Sequence, residues 1–331
     1  MKRFFLFLAA SALACLVLLA IVAGNLMSIG SFVASADPLW VLTLAALALA
    51  LCSFLAGLIT GDYSWVDRLW STAPVAFVWF YAWRGGFSLA LVVAAVLISI
   101  WGFRLTLNFA RKGGYSGEED YRWGVLRLRI TNKFAWQAFN LGFISCYQIG
   151  LFLLFTLPTR ILWEMTQTPI PLGQSSWGLS LGFILSMIAL AGFIIYEGIA
   201  DRQQWDYQAT KKAANQGLAV TGQRYAEDVS QGFLSSGLFA HSRHPNYFGE
   251  IAVWWALYFA AAFASGQLLN LTLIGPVMLT LLFIGSTNFT EAITGAKYPQ
   301  YKDYCRRTSP IIPWFHGTAG DETINNESTS G

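Results

Sequence analysis

A run of polar and aromatic side chains, residues 241–254, leads directly into a hydrophobic segment. Pro245 suits the first turn of a helix, where its missing N–H group is not needed. The free N–H groups and the positive dipole end of that helix, beside Arg243 and His244, favour an anion such as a phosphate or a carboxylate. Glu250 would then lie inside the helix, where an ionised carboxylate costs several kcal/mol unless it is paired. The pattern predicts a ligand site at this helix start.

One face of the same helix carries further polar groups. Tyr247, Glu250 and Trp254 are spaced three and four residues apart, so they share that face. A polar seam that only holds helices together would also give this spacing. The guanidinium and imidazole groups just before the helix, together with the amide of Asn246, favour a ligand site over a seam.

Other polar groups stand at the ends of hydrophobic segments. Arg104 and Asn108 are four residues apart, on a helix face from which a bound phosphate could be reached. Glu197 and Asp201 share a stripe at the end of another segment, and Glu197 is deep enough to need a partner. Glu291 follows the last hydrophobic segment, where it suits either a ligand site or a structural ion pair. These groups extend the predicted site beyond a single helix.

The elements that position these groups are transmembrane helices. The 331 residues are 55% hydrophobic and 12% charged, with a mean hydropathy of +0.50, which predicts an all-α integral membrane protein with a bundle of about seven or eight helices. Each candidate span has close to the roughly 20 residues that cross a bilayer. The third is the weakest, and a kinked or re-entrant segment is the alternative. The eight stretches are 4–27, 39–59, 65–83, 87–103, 136–157, 177–199, 247–265 and 270–288.

Lysine and arginine placement predicts the orientation. With eight spans and the N-terminus inside, all but two of the 21 basic residues, Arg84 and Arg160, fall on the cytoplasmic side. We therefore expect both termini in the cytoplasm and a cytosolic polar cap on the bundle. The predicted divisions are N-terminal transmembrane helices over 1–60, a domain with a cofactor pocket over 61–315, and a disordered tail over 316–331.

Several chemistries are excluded by what the sequence lacks. There is no G-x-G-x-x-G and no P-loop motif. His241 and His244 are one turn apart, but no third ligand is apparent, so no metal site is predicted. The four cysteines have no metal or redox spacing, and a net charge of +3 gives no reason to expect nucleic acid as a partner.

The sequence resembles a known superfamily over residues 60–314. The segment 242–250, S-R-H-P-N-Y-F-G-E, with Glu291 and the segment 301–313, resembles the C-terminal half of the steroid 5-alpha-reductase-like membrane reductases. The segments 67–70 and 117–122 resemble its bacterial branch, mostly of unknown function, which implies a bacterial inner membrane. The R-H-P-x-Y-F-G motif is shared with isoprenylcysteine carboxyl methyltransferases, which use S-adenosylmethionine, and with sterol reductases, which use NADPH. The motif therefore marks a cofactor pocket and not a reaction.

The resemblance and the helix faces together give an expected set of site residues. The steroid enzymes use a glutamate in a Q-P-P segment and a tyrosine; this chain has no Q-P-P, and Trp101 falls near the tyrosine position. Asp67, Tyr121 or Glu250, with Tyr63 as a further alternative, would take over the catalytic role. A desolvated carboxylic acid, Asp67 or Glu250, can stay protonated and act as a donor. The expected cofactor contacts are Arg104, Asn108, Glu197, Asp201, Arg243, His244, Asn246, Tyr247, Glu250, Trp254, Glu291, Arg306 and Arg307.

Three functions follow from the sequence. The first is an NADPH-dependent reductase of an unsaturated membrane lipid, a steroid- or isoprenoid-like enone, in which arginines meet the cofactor phosphates. The second is an S-adenosylmethionine-dependent membrane methyltransferase, whose pocket needs far less positive charge. The third is a binder of lipid or cofactor without catalysis. The number of arginines that face the pocket discriminates between the first two.

Overall fold

The structure is a computed structural model that describes residues 2–24, 28–168 and 180–314, and every regular element among them is helical. The predicted disordered tail, 316–331, lies outside the described residues. The elements are α1 (Lys2–Ala23), α2 (Ile29–Ser35), α3 (Pro38–Thr60), α4 (Trp65–Leu69), α5 (Ala73–Arg84), α6 (Leu89–Arg111), α7 (Tyr121–Arg129), α8 (Lys133–Phe139), a π-helix (Asn140–Tyr147), α9 (Gln148–Thr156), α10 (Pro158–Gln167), α11 (Leu181–Asn215), α12 (Ala226–Gln231), a 3-10 helix (Gly237–Ala240), α13 (Pro245–Ser265), a 3-10 turn (Leu271–Leu273), α14 (Ile274–Lys297) and α15 (Tyr301–Arg307).

Seven helices of the described chain are long and apolar enough to cross a membrane, which confirms the all-α membrane bundle. They coincide with seven of the eight predicted stretches. The remaining stretch, 65–83, is broken between α4 and α5 by a turn at residues 70–72. Because α5 has 12 residues, it is roughly 18 Å long, well short of the ~30 Å hydrocarbon core. The prediction of a single span there is wrong, and the kinked alternative describes it better.

The pair α4 and α5 nevertheless carries the chain from one end of α3 to the other. The helix α4 begins shortly after α3 ends at Thr60. At the opposite end of α5, Arg84 Nη1 donates to the carbonyl oxygens of Val33 and Ala36, at 2.8 and 2.7 Å, just before α3 begins. This connection is compatible with an even number of membrane crossings. The location of both termini in the cytoplasm stays a prediction.

The chain forms two compact units, and each is described by itself. The first comprises Met1–Gly192 and Val253–Leu279. Its core includes an aromatic cluster in which Trp254 lies 4.1 Å from Phe155 and 5.0 Å from Trp101, measured between ring centroids. Both tryptophans are completely buried.

The second unit comprises Phe193–Ala252 and Thr280–Gly331. Lys211, near the end of α11, cross-links the polar part of this unit by hydrogen bonds. Its Nζ donates to Gly232 O at 2.6 Å and to the hydroxyls of Tyr207 and Tyr298, both at 3.1 Å. These bonds use all three donors of the ammonium group, so Lys211 holds the fold and is not available to a ligand.

Candidate functional site

The helix start predicted at Pro245 is where α13 begins. The segment just before it, 241–244, runs parallel to the segment 309–314. The N–H of Arg243 donates to Ser309 O at 2.8 Å, and two further main-chain bonds join the segments. The C-terminal segment thereby holds the entry to α13 in place, a contact that the sequence analysis did not predict.

Arg243 is the centre of the second unit's ion-pair network. Its Nε and Nη2 donate to the two carboxylate oxygens of Glu291, at 2.7 and 3.0 Å. Its Nη1 donates to Cys305 O at 2.9 Å and to Thr308 O, at the end of α15. Four of the five N–H donors of the guanidinium are thus used inside the protein, and the side chain is 9% exposed. This geometry favours a positioning role for Arg243 over the predicted contact with a phosphate.

His244 joins the same network from the other side of Glu291. Its Nε2 lies 3.1 Å from Glu291 Oε1, and its ring stacks on Tyr247 with centroids 5.0 Å apart. Tyr247 in turn packs edge-on against Phe283 of α14, at 4.8 Å. The structure thus brings together four predicted residues, Arg243, His244, Tyr247 and Glu291, and they clamp the start of α13 to α14.

The helices α11 and α13 meet where two buried carboxylates lie. Glu197 and Glu250 are 3% and 4% exposed. At Gly249 the helices are so close that an added Cβ would lie 2.6 Å from Glu197 Cβ and 3.1 Å from its Cα. Asp201, half-buried, is one turn further along α11. The predicted acidic stripe is therefore an internal feature of the second unit.

Three buried hydroxyls of this unit, those of Tyr196, Tyr225 and Thr287, have no hydrogen-bond partner among the described residues. Thr290 and Thr294 of α14 bond to carbonyls of their own helix, at 2.9 and 3.0 Å. Thr287, on the same helix and 2% exposed, does not. The hydroxyl of Tyr196, whose ring packs on Phe248, is likewise unpartnered. An unpaired buried hydroxyl costs about 1–3 kcal/mol, so a polar ligand that pairs with these groups is favoured. None of the three was predicted from the sequence as a site residue.

Three predicted residues of the second unit remain accessible. Asn246 is half-buried. Arg306 is 81% exposed and pairs at 3.2 Å with Asp303, which is 72% exposed. Arg307 is also exposed. Such exposed pairs contribute little to stability, so both arginines can reach a phosphate.

The remaining predicted residues lie in the first unit. Arg104 and Asn108 are half-buried near the end of α6. Trp254 fills the aromatic core described above, an environment that favours packing over cofactor contact. Tyr121 is 57% exposed, which does not suit a proton donor in a dry cavity. Its assignment and that of Trp254 therefore find no support in the geometry.

Asp67, the other predicted acid of the first unit, accepts a hydrogen bond from Trp123 Nε1 at 2.8 Å. Burial raises the pKa of Asp67, and the charge of Asp120 raises it further. Arg122 and the hydrogen bonds from Trp123 and Ser64 oppose that shift. A carboxyl that keeps its proton more readily suits the predicted role as a proton donor.

Replacing Asp67 with asparagine is expected to raise the melting temperature of the purified protein at neutral pH. The folded state binds the proton of Asp67 more tightly than the unfolded chain, whose pKa is about 3.9. The stability from this proton is therefore fully present below that value and is lost as the pH rises through the folded-state pKa. Asparagine keeps an acceptor for Trp123 and carries no charge. Melting curves between pH 4 and 8 measure this; a lower melting temperature for Asp67→Asn at pH 7 would contradict it.

Comparison with known proteins gives a family match and a relative. A family model described as "Protein of unknown function (DUF1295)" matches residues 53–308. The chain is 35% identical over 270 residues to an uncharacterized protein of Schizosaccharomyces pombe. The aligned region covers 79% of this chain and 76% of that protein. No solved structure matches. The matched range includes Asp67 and the network around Arg243.

Proposed function

The chain belongs to the DUF1295 family of proteins of unknown function, and from this premise we propose that it is a membrane-embedded NADPH-dependent reductase of an unsaturated lipid. The observation that carries the proposal is the polar interior of the second unit, where three unpartnered hydroxyls accompany buried carboxylates. The resemblance of residues 242–250 to the steroid 5-alpha-reductase-like reductases supports it. An enone of steroid or isoprenoid type is the proposed substrate.

The residues of the second unit fit the parts of such a cofactor differently. Thr287 and Tyr196 offer hydroxyls that pair with neutral groups such as ribose hydroxyls or an amide. Arg306 and Arg307 offer exposed guanidinium groups for phosphates. Arg243 holds the segment before α13 in place through Glu291. When bound, the cofactor supplies the hydride.

A methyltransferase that uses S-adenosylmethionine is the second candidate, because one observation favours it. The carboxylates that are buried or half-buried in the second unit include those of Glu197, Asp201, Glu250 and Glu291. Arg243 and the half-buried Lys211 carry opposing charges there, and Glu291 already neutralises Arg243. An acidic interior favours a cationic sulfonium over an anionic dinucleotide.

A titration of the purified full chain with NADPH and, separately, with S-adenosylmethionine tests both candidates. We expect saturable NADPH binding, followed by tryptophan fluorescence and thermal stability, that weakens at high salt because phosphates are bound. Saturable binding of S-adenosylmethionine with none of NADPH would overturn the reductase proposal in favour of the methyltransferase.

Thr287→Val is the sharpest variant for the cofactor site. It removes an unpartnered hydroxyl with little change of shape, so we expect an unchanged or higher melting temperature without cofactor. NADPH affinity is expected to fall about five-fold, the effect of one hydrogen bond of about 1 kcal/mol. Thr290→Val is the matched control, since its hydroxyl bonds to its own helix and its loss leaves NADPH affinity unchanged. Equal affinities of the two variants would remove Thr287 from the site.

A further inference from the structure

A second set of buried polar groups lies in the membrane-spanning part of the first unit. Ser145 of the π-helix is completely buried and Ser53 of α3 is 4% exposed, and neither hydroxyl has a hydrogen-bond partner within the described residues. Serines in helices often bond to the carbonyl one turn earlier, as Ser99 and Ser186 do at 2.7 and 2.8 Å. The hydroxyls of Ser53 and Ser145 are therefore free to bond to another group.

These two serines occupy the same layer of the first unit. The helix α3 packs on the π-helix, and at Gly57 an added Cβ would lie 3.3 Å from Asn140 Nδ2. The segment that follows α3 is hydrogen-bonded to α8, which directly precedes the π-helix. The end of α3 therefore lies beside the start of the π-helix, and α3 and the π-helix run in opposite directions. Ser53 is one turn before Gly57, and Ser145 is one π-helical turn after Asn140. Because the two helices run in opposite directions, both serines therefore lie about one helical turn from the contact between Gly57 and Asn140, on the same side of it.

The π-helix itself points to a binding role. It runs over eight residues, Asn140–Tyr147, whereas π-helical segments are rare, usually span a single turn and are frequent at functional sites. Phe139, Phe143 and Tyr147 stack along one side of it, with ring centroids 5.0 and 5.3 Å apart. Asn140 and Ser145 are buried on another side. The helix therefore separates an aromatic ladder from a polar face.

The absence of charged residues from these two helical segments indicates that the ligand is uncharged. Neither Pro38–Thr60 nor the segment 134–156 contains an acidic or basic residue, and an isolated charge there would be costly in a membrane. Two hydroxyls can instead share one neutral oxygen, which accepts two hydrogen bonds. We infer that Ser53 and Ser145, flanked by Asn140, form a site for the uncharged oxygen of a membrane-dissolved lipid, an alcohol or a ketone.

The site is independent of the cofactor proposed for the second unit, and a photolabelling experiment tests it. The full chain in lipid nanodiscs is labelled with a hexadecanol that carries a diazirine, and the labelled peptides are mapped by mass spectrometry. Unlabelled hexadecanol and 2-hexadecanone are expected to compete, whereas hexadecane is not. Labelling within α3 and the π-helix is expected to saturate at about five-fold higher probe concentration in Ser53→Ala or Ser145→Ala.

Ser186→Ala is the matched control, because its hydroxyl bonds to Gly182 O of its own helix, and its labelling should equal that of the unmodified protein. Equal labelling of all three variants, or competition by hexadecane as strong as by hexadecanol, would overturn the site. Both Ser53→Ala and Ser145→Ala should fold with unchanged or higher melting temperatures, since no internal hydrogen bond is lost and a buried unpaired hydroxyl is removed. A failure to fold would show that the hydroxyls are bonded within the protein and would also overturn it. NADPH titration of the same variants, expected to be unchanged, separates this result from the fate of the reductase proposal.

Discussion

Arg243→Ala is expected to lower the free energy of unfolding by about 3 kcal/mol, the lower end of the cost of breaking a buried ion pair. The substitution leaves the Glu291 carboxylate without its bidentate partner and the carbonyls of Cys305 and Thr308 without their donor. The segment before α13 would then lose its anchor. A clear fall in the melting temperature of the detergent-purified protein, with or without cofactor, is the expected measurement.

Two further variants separate this structural role from a direct contact with cofactor. Arg243→Lys keeps the charge but loses the fork geometry, so an intermediate melting temperature is expected. Arg306→Ala removes an exposed guanidinium and should change the melting temperature little while it lowers NADPH affinity. If Arg243→Ala instead melts normally and loses only NADPH affinity, Arg243 contacts the phosphates and the positioning role is wrong.

Gly249→Ala is expected to destabilise the protein by about 1–3 kcal/mol, the cost of adding volume to a packed interior. The new Cβ would meet Glu197 Cβ at 2.6 Å and its Cα at 3.1 Å, so α11 and α13 must move apart. Because the buried Glu197 and Glu250 lie at this contact, cofactor binding should weaken together with stability.

Gly285→Ala, on α14, is the matched control for that substitution. Nothing lies within 4 Å of its added Cβ, and alanine favours a helix over glycine by about 1 kcal/mol. We expect Gly285→Ala to melt at the same temperature or higher. A Gly249→Ala protein that melts like Gly285→Ala and binds NADPH normally would show that the two helices can separate without harm to the site.

The sequence determined the class of fold and most of its spans, because an apolar stretch of roughly 20 residues is a local property. It also determined where α13 begins, since the effect of Pro245 at a helix start is local too. It did not determine the fate of 65–83, where composition suggested one span and the chain makes a turn at residues 70–72. It named four members of the Arg243 network, because charges at the edge of a membrane need partners.

Only the tertiary structure decided which partners those charges find. Glu291 and Thr308 lie 48 and 65 residues from Arg243 along the chain, so no local spacing could reveal that the guanidinium is already occupied. Trp254 shares a helix face with Glu250, yet it packs into an aromatic core. Thr287 and Thr290 are three residues apart on one helix, and one hydroxyl is satisfied while the other is not. Side-chain orientation and packing against distant residues, which no sequence pattern encodes locally, separate the groups that hold this fold from those that can bind a ligand.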